Sequence, residues 1–199
     1  MSFPMRIAFG SSNMKIVGID LAGSIQRETG WVLIEDTHVL MKVVYKNSSI
    51  VREVLKANPF IVTIDAPLSM PKEGHIRSIE KKLLELGISS LPPLFSGMRK
   101  LTERGILVKY LLSSMGFDVF EVYPYSLVKI LGVSDRSIFL LEARRRGYQV
   151  EGDINRHTID AFIAAIIGKL YLENKAYLFE SYDGAIILPK ENLNMEDIF

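Results

Sequence analysis

Two segments of the chain end in the same way. Ile16-Val17-Gly18-Ile19-Asp20 and Ile61-Val62-Thr63-Ile64-Asp65 are each a short apolar run closed by a carboxylate. Runs of this length and composition read as strands. If the two strands are parallel neighbours, both carboxylates leave the sheet at its carboxyl edge, where open α/β sheets bind ligands. Carboxylates held side by side repel, so one takes a proton or a cation sits between them. A hard divalent cation with oxygen ligands suits such a pair best. Either Asp alone would serve as an ordinary turn residue; the matched pair is what points to chemistry.

Asp160 is the third candidate. Every other residue from Ile159 to Gly168 is apolar or glycine, and a helix apolar on nearly all sides is buried. A carboxylate inside it is costly unless paired, hydrogen-bonded or metal-bound. The small residues Ala161, Ala164, Ala165 and Gly168 let this helix approach its neighbours closely, giving Asp160 a route to Asp20 and Asp65. The alternative is a carboxylate favoured by the positive end of the helix dipole. His157 lies three residues earlier, on the same helical face, as a metal ligand, a proton shuttle, a phosphate contact or a solvent-facing residue. Asp153 reads as a loop or capping residue. Glu121 interrupts the apolar strand Val119–Tyr123, as a fourth acid at the site or an outward-facing residue.

The basic residues are less pointed. Between Lys72 and Lys109 eight Lys and Arg face four Glu, a local excess suited to phosphates or to solvated helix faces. Ser24, in the turn after the first Asp, and Arg77 and Arg99 are the candidate substrate contacts. The run Arg144-Arg145-Arg146 sits at a helix end, where the dipole favours cations.

The elements that must position these groups follow from pattern. Three strands, Lys15–Asp20, Trp31–Ile34 and Val39–Tyr45, are separated by short turns and read as an antiparallel meander. Ser48 or Ser49 caps a helix that Asn58-Pro59 ends. The crossover makes the next strand, Phe60–Asp65, parallel to an earlier one. Residues 66–116 form an insertion with helices near 76–86 and 101–114. A fifth strand follows at 118–123, then a helix from Ser134 to Arg146 with Gly147 behind it, a long helix at 157–173, and a terminal hairpin around Asp183-Gly184. The expected fold is therefore α/β, with a mixed five-stranded sheet, flanking helices and a helical insertion in one domain over 14–199. Residues 1–13 read as a loose arm, or as a segment ahead of a native start at Met14.

Composition bounds the rest. The 199 residues carry a formal net charge of +1 and no Cys. Disulfides, thiolate metal sites and a Cys nucleophile are excluded, and no global field advertises a nucleic-acid or membrane partner. The first residues lack a signal-peptide pattern, and no apolar run is long enough for a bilayer. A soluble, cytoplasmic protein is expected.

Taken together, the chain resembles the RNase H-like superfamily, and in detail its predicted-nuclease branch known as domain-of-unknown-function family 429. The resemblance rests on Val17–Ser24, Ile64-Asp65-Ala66-Pro67-Leu68, the Arg77/Glu80 pair, Glu121-Val122-Tyr123-Pro124 and Asp160-Ala161. It spans roughly residues 14–189. His157-x-x-Asp160-Ala161 is also similar to the last catalytic helix of Holliday-junction resolvases. By resemblance the metal-binding acids are Asp20, Asp65 and Asp160, with a site role for Glu121. That implies an Mg²⁺- or Mn²⁺-dependent phosphodiesterase acting on DNA or RNA. Asp20 would bridge two ions, and His157 or Glu121 would assist proton transfer. Two other readings stand beside it. Gly18–Ser24 is similar to the phosphate loop of actin-like ATPases and sugar kinases, and a non-catalytic binding protein could keep the same fold.

Overall fold

The computed structural model describes residues 14–199; the expected N-terminal arm lies outside them. Strands β1 (Lys15–Asp20), β2 (Thr29–Glu35) and β3 (His38–Val44) form the meander. Helix α1 (Asn47–Ala57) crosses over to β4 (Ile61–Asp65). Its end is set by Asn58 in the left-handed region, φ 48°, a conformation Asn tolerates better than most residues. Helices α2 (Ser78–Glu85) and α3 (Arg99–Ser114) lie between β4 and β5 (Val119–Val122). Then come α4 (Pro124–Ile130), α5 (Ile138–Arg145), β6 (Gln149–Gly152), α6 (Arg156–Leu172), β7 (Ala176–Ser181) and β8 (Gly184–Pro189).

The sheet has eight strands, not five, in the order β6-β3-β2-β1-β4-β5-β8-β7. The meander is antiparallel, while β4 pairs parallel with β1 and β5 parallel with β4. The terminal hairpin is part of this sheet, because β8 lies parallel to β5. At the other edge, β6 adds parallel to β3; its sequence, Gln-Val-Glu-Gly, lacks the apolar run that marks a strand. Helix α4 also has no expected counterpart. Pro124, which reads as a strand terminator, instead opens α4 at the first helical position, where a missing N–H costs nothing. Among the described residues no helix is long and apolar enough to cross a membrane.

Two cores lie on opposite faces of the sheet. On one face Ile16, Ile61 and Val122 pack with α6 residues Phe162, Ile163 and Ile166. On the other, Val17, Ile19, Val62 and Ile64 pack with Ile50 and Val54 of α1 and Val108 and Leu112 of α3. Strand alternation therefore puts Gly18 and Asp20 of β1, and Thr63 and Asp65 of β4, on the α6 face.

Helix α6 lies very close to that face. A Cβ on Gly18 would stand 2.1 Å from the Ala161 carbonyl oxygen and 2.4 Å from the Ala165 nitrogen. On Gly30 it would stand 2.1 Å from the His157 carbonyl oxygen. Thr63 Oγ1 donates to the Ala164 carbonyl at 2.8 Å, tying the helix to β4. The helix begins at a reciprocal cap. Asn155 Oδ1 accepts from the Thr158 amide at 3.0 Å, and Thr158 Oγ1 accepts from the Asn155 amide at 2.9 Å.

Because backbone atoms oppose Gly18, nothing can turn aside for a methyl group. Gly18→Ala is expected to cost about 3 kcal/mol, the upper range for overpacking a filled core. That is a fall in Tm of roughly 6–12 °C for a chain of this size, read by thermal unfolding. A variant melting with the wild type would show that α6 can lift from β1 freely.

Candidate functional site

The register of the sheet pairs Asp20 with Asp65 directly. Neighbouring strands lie about 4.8 Å apart, so the two carboxyls leave the carboxyl edge as immediate neighbours on the α6 face. The first turn of α6 then hangs over them. His157 Nδ1 meets Asp20 Oδ2 at 2.7 Å, and Asp160, 5% exposed, projects from the next turn. Close packing at Gly30 and Gly18 holds this end of the helix in place.

The electrostatics match the geometry. Burial raises the Asp65 carboxyl well above its ordinary range, and Asp20 and Asp160 raise it further. Burial also raises Asp20; its hydrogen bond with His157 opposes the shift, and Asp160 adds to it. Asp65 thus feels both other acids, and Asp20 feels Asp160. One cation already attends the group: Arg136 Nη1 donates to Asp160 Oδ1. Among the described residues no three His, Asp or Glu side chains converge into a ready metal shell, since Asp160 is turned to Arg136 and Asp20 to His157. The donor chemistry nevertheless fits a hard divalent ion. Crowded carboxylate oxygens with raised pKa values are relieved by positive charge, and Mg²⁺ takes carboxylates by preference.

Glu121 departs from its expected place in this group. It pairs with Ile64, not Asp65, so its side chain leaves the opposite face of the sheet. There it accepts from the Leu68 amide at 2.8 Å and receives Arg77 in a two-pronged pair at 2.7 and 2.8 Å. Arg77 lines the same cavity as Asp20 and Asp65 but is engaged within the protein. It is 1% exposed, and its guanidinium is consumed by Glu121, by Glu80 at 2.5 Å and by Ser69 Oγ at 2.9 Å. The Arg77/Glu80 spacing is a helix cap and buried ion pair in which Glu80 also accepts from the Arg77 amide at 2.8 Å. Ser24 Oγ accepts from the Gln26 amide at 3.2 Å, shaping the turn beyond Asp20. Arg99 opens α3 in solvent, paired with Glu103 at 3.0 Å. Asp153 accepts from the Val43 amide at 3.1 Å, a loop role.

Two arginines matter here that the sequence does not single out. Arg136 lies in a turn where a helix from Ser134 is expected, and nothing in its neighbours marks it. Arg104 lies mid-helix in α3 and reads as a solvated charge. It is 7% exposed and donates to the Ala22 carbonyl at 2.6 Å, the Ser24 carbonyl at 3.1 Å, the Tyr45 carbonyl and Asn47 Oδ1 at 2.8 Å. It therefore holds the turn that follows Asp20. A cavity of about 210 Å³ opens beside the acids, walled by Asp20, Asp65, Leu91, Met98, Leu101 and Tyr123.

Among solved structures the chain is similar to RuvC of T. thermophilus in complex with a Holliday junction substrate. The TM-score is 0.51 at 12% identity, over 87% of this chain and 99% of that one. The fold is RNase H-like. The likeness is one of architecture. No family model matches the chain, and no curated protein matches it in sequence. In this frame Asp20 ends β1, Asp65 ends β4 and Asp160 lies near the start of α6.

The strain among the acids has a measurable sign. Asp65 binds its proton more tightly in the folded protein than in the unfolded chain. Stability is therefore lost as pH rises from the ordinary carboxylate range through the raised folded value. Asp65→Asn removes that loss. In EDTA it should melt above the wild type at pH 7.5, with the gap closing towards pH 4. If the variant is the less stable protein at pH 7.5, Asp65 carries no electrostatic load.

Proposed function

We propose that this protein is a divalent-metal-dependent nuclease, hydrolysing phosphodiesters of DNA or RNA with Asp20, Asp65 and Asp160 as the metal-holding acids. The observation that carries the reading is the direct pairing of Asp20 with Asp65 on the face beneath Asp160. Separate carboxylates are raised in pKa by burial and by one another, as expected of groups evolved to share a cation. The RNase H-like architecture supports it, since the similar RuvC of T. thermophilus was solved in complex with a Holliday junction substrate. Membership of the narrower family named above rests on the order of its motifs alone.

Asp20, Asp65 and Asp160 would hold Mg²⁺ or Mn²⁺, which when bound supplies Lewis acidity to the phosphodiester and its attacking water. His157 has two duties consistent with its position. Through Nδ1 it orients the Asp20 carboxylate at 2.7 Å, and its half-exposed ring can carry a proton between the site and solvent. The wall of Leu91, Met98 and Leu101 limits water on one side of the acids. Glu121, Glu80 and Arg77 form a hydrogen-bonded foundation behind the carboxyl edge.

The test is cleavage of labelled single-stranded, duplex and branched DNA and RNA in Mn²⁺ or Mg²⁺. Asp20→Asn should reduce cleavage by at least about 10²–10³-fold, the equivalent of a few kcal/mol of transition-state stabilisation, while leaving the fold intact by circular dichroism. Cleavage retained in Asp20→Asn, or unaffected by EDTA, would refute the reading. Tight ATP binding with no action on any nucleic acid would favour nucleotide binding instead.

A further inference from the structure

The described residues contain two buried carboxylate–arginine arrangements near the site, and they differ in kind. Arg77 is 1% exposed and satisfied by two glutamates and Ser69. Arg136 is not enclosed. Its side chain is 36% exposed while that of Asp160 is 7% exposed, so one end of the pair is fixed in the core and the other opens to solvent.

Arg136 is held by a designed local turn, not by a loose loop. Asp135 Oδ1 accepts from the Ser137 amide at 2.9 Å, and Asp135 Oδ2 from Ser137 Oγ at 2.7 Å. The Phe139 amide donates to the Arg136 carbonyl at 3.2 Å, and the Phe139 side chain is fully buried. This turn aims the guanidinium at the acids. Its charge is felt beyond Asp160, since it favours the ionised forms of Asp65 and Tyr123. Arg136 therefore stands where the charges of the cluster converge.

Resting on the metal-site reading above, we propose that Arg136 is the resident counter-ion of the acidic cluster and that it competes with the divalent ion for Asp160. A carboxylate oxygen that accepts from a guanidinium cannot offer the same lone pair to a metal, and two cations at one carboxylate repel. The half-exposed end of Arg136 lets it withdraw from Asp160 by side-chain rotation, leaving the Asp135–Ser137 turn unchanged. The pairing also accounts for Asp160 being folded into α6 at all. An uncompensated buried carboxylate is strongly destabilising, and Arg136 supplies the compensation by which the domain folds before any metal is taken up. Arg136 is in this sense a positioning residue that sets metal affinity.

The experiment is Mn²⁺ titration by calorimetry of the wild type and Arg136→Gln, with melting temperatures in EDTA. Arg136→Gln should bind Mn²⁺ up to about fivefold more tightly, the scale of losing one partly exposed ion pair, and should melt below the wild type in EDTA. Equal or weaker Mn²⁺ binding by the variant overturns the competition and leaves the metal site standing, because the wild type still binds. No Mn²⁺ binding by either protein removes the metal reading and this inference with it. If Arg136→Gln does not fold, the wild type still decides the matter. Its Arg136 Nε–H resonance, assigned by its loss in Arg136→Lys, should shift with added Mg²⁺ over the range that saturates the protein. A resonance unmoved by saturating Mg²⁺ sinks the proposal.

Discussion

Everything at the carboxyl edge depends on how near α6 lies to the sheet. A helix normally stands off a sheet by the length of the side chains packed between them. Here Gly18 and Gly30 remove those side chains at two points, and the helix backbone rests almost on the strands. Three consequences follow from that contact. Asp160 is brought within electrostatic reach of Asp20 and Asp65, His157 is placed against Asp20, and the apolar remainder of α6 closes the larger core. The polar cluster and the hydrophobic core are thus products of the same helix seat.

The two arginine systems show how the fold separates structural charge from chemical charge. Glu121 and Asp65 are sequence-distant, on adjacent strands and one register step apart, yet strand alternation sends them to opposite faces. Glu121 is also raised by burial, but finds donors in Arg77 and Leu68 that oppose the shift. Asp65 finds fellow acids and is raised in pKa. A shift of one residue in the β4–β5 register would bring Glu121 to the same face as Asp65.

Much of this was legible in the chain itself. The repeated apolar run closed by Asp marked β1 and β4 and their parallel pairing, and the one carboxylate in an apolar helix marked Asp160. The small residues of α6 announced its close approach, although the glycines that receive it, Gly18 and Gly30, did not announce themselves as partners. What stayed hidden depends on tertiary context. β6 is a strand because β3 leaves an edge to pair with, not because its own residues favour one. Pro124 fits a strand end and a helix start equally well, and only its surroundings decide. A carboxylate in a strand does not reveal which face it will take until the neighbouring register is known, so Glu121 reads as a site acid. Arg104 and Arg136 look like any surface arginine, because what distinguishes them is the set of carbonyls and carboxylates brought to them from far along the chain.

Arg104 has one more meaning. Its guanidinium gathers carbonyls from the turn after Asp20 and from the β3–α1 connection into one point. A turn free to explore conformations would have to surrender that freedom each time a ligand met Asp20. With the turn already tied down, the ordering cost falls on folding, once, and not on every encounter. Preorganisation at this site is therefore assigned to a side chain that touches none of the acids, delivered from a helix on the opposite face of the sheet.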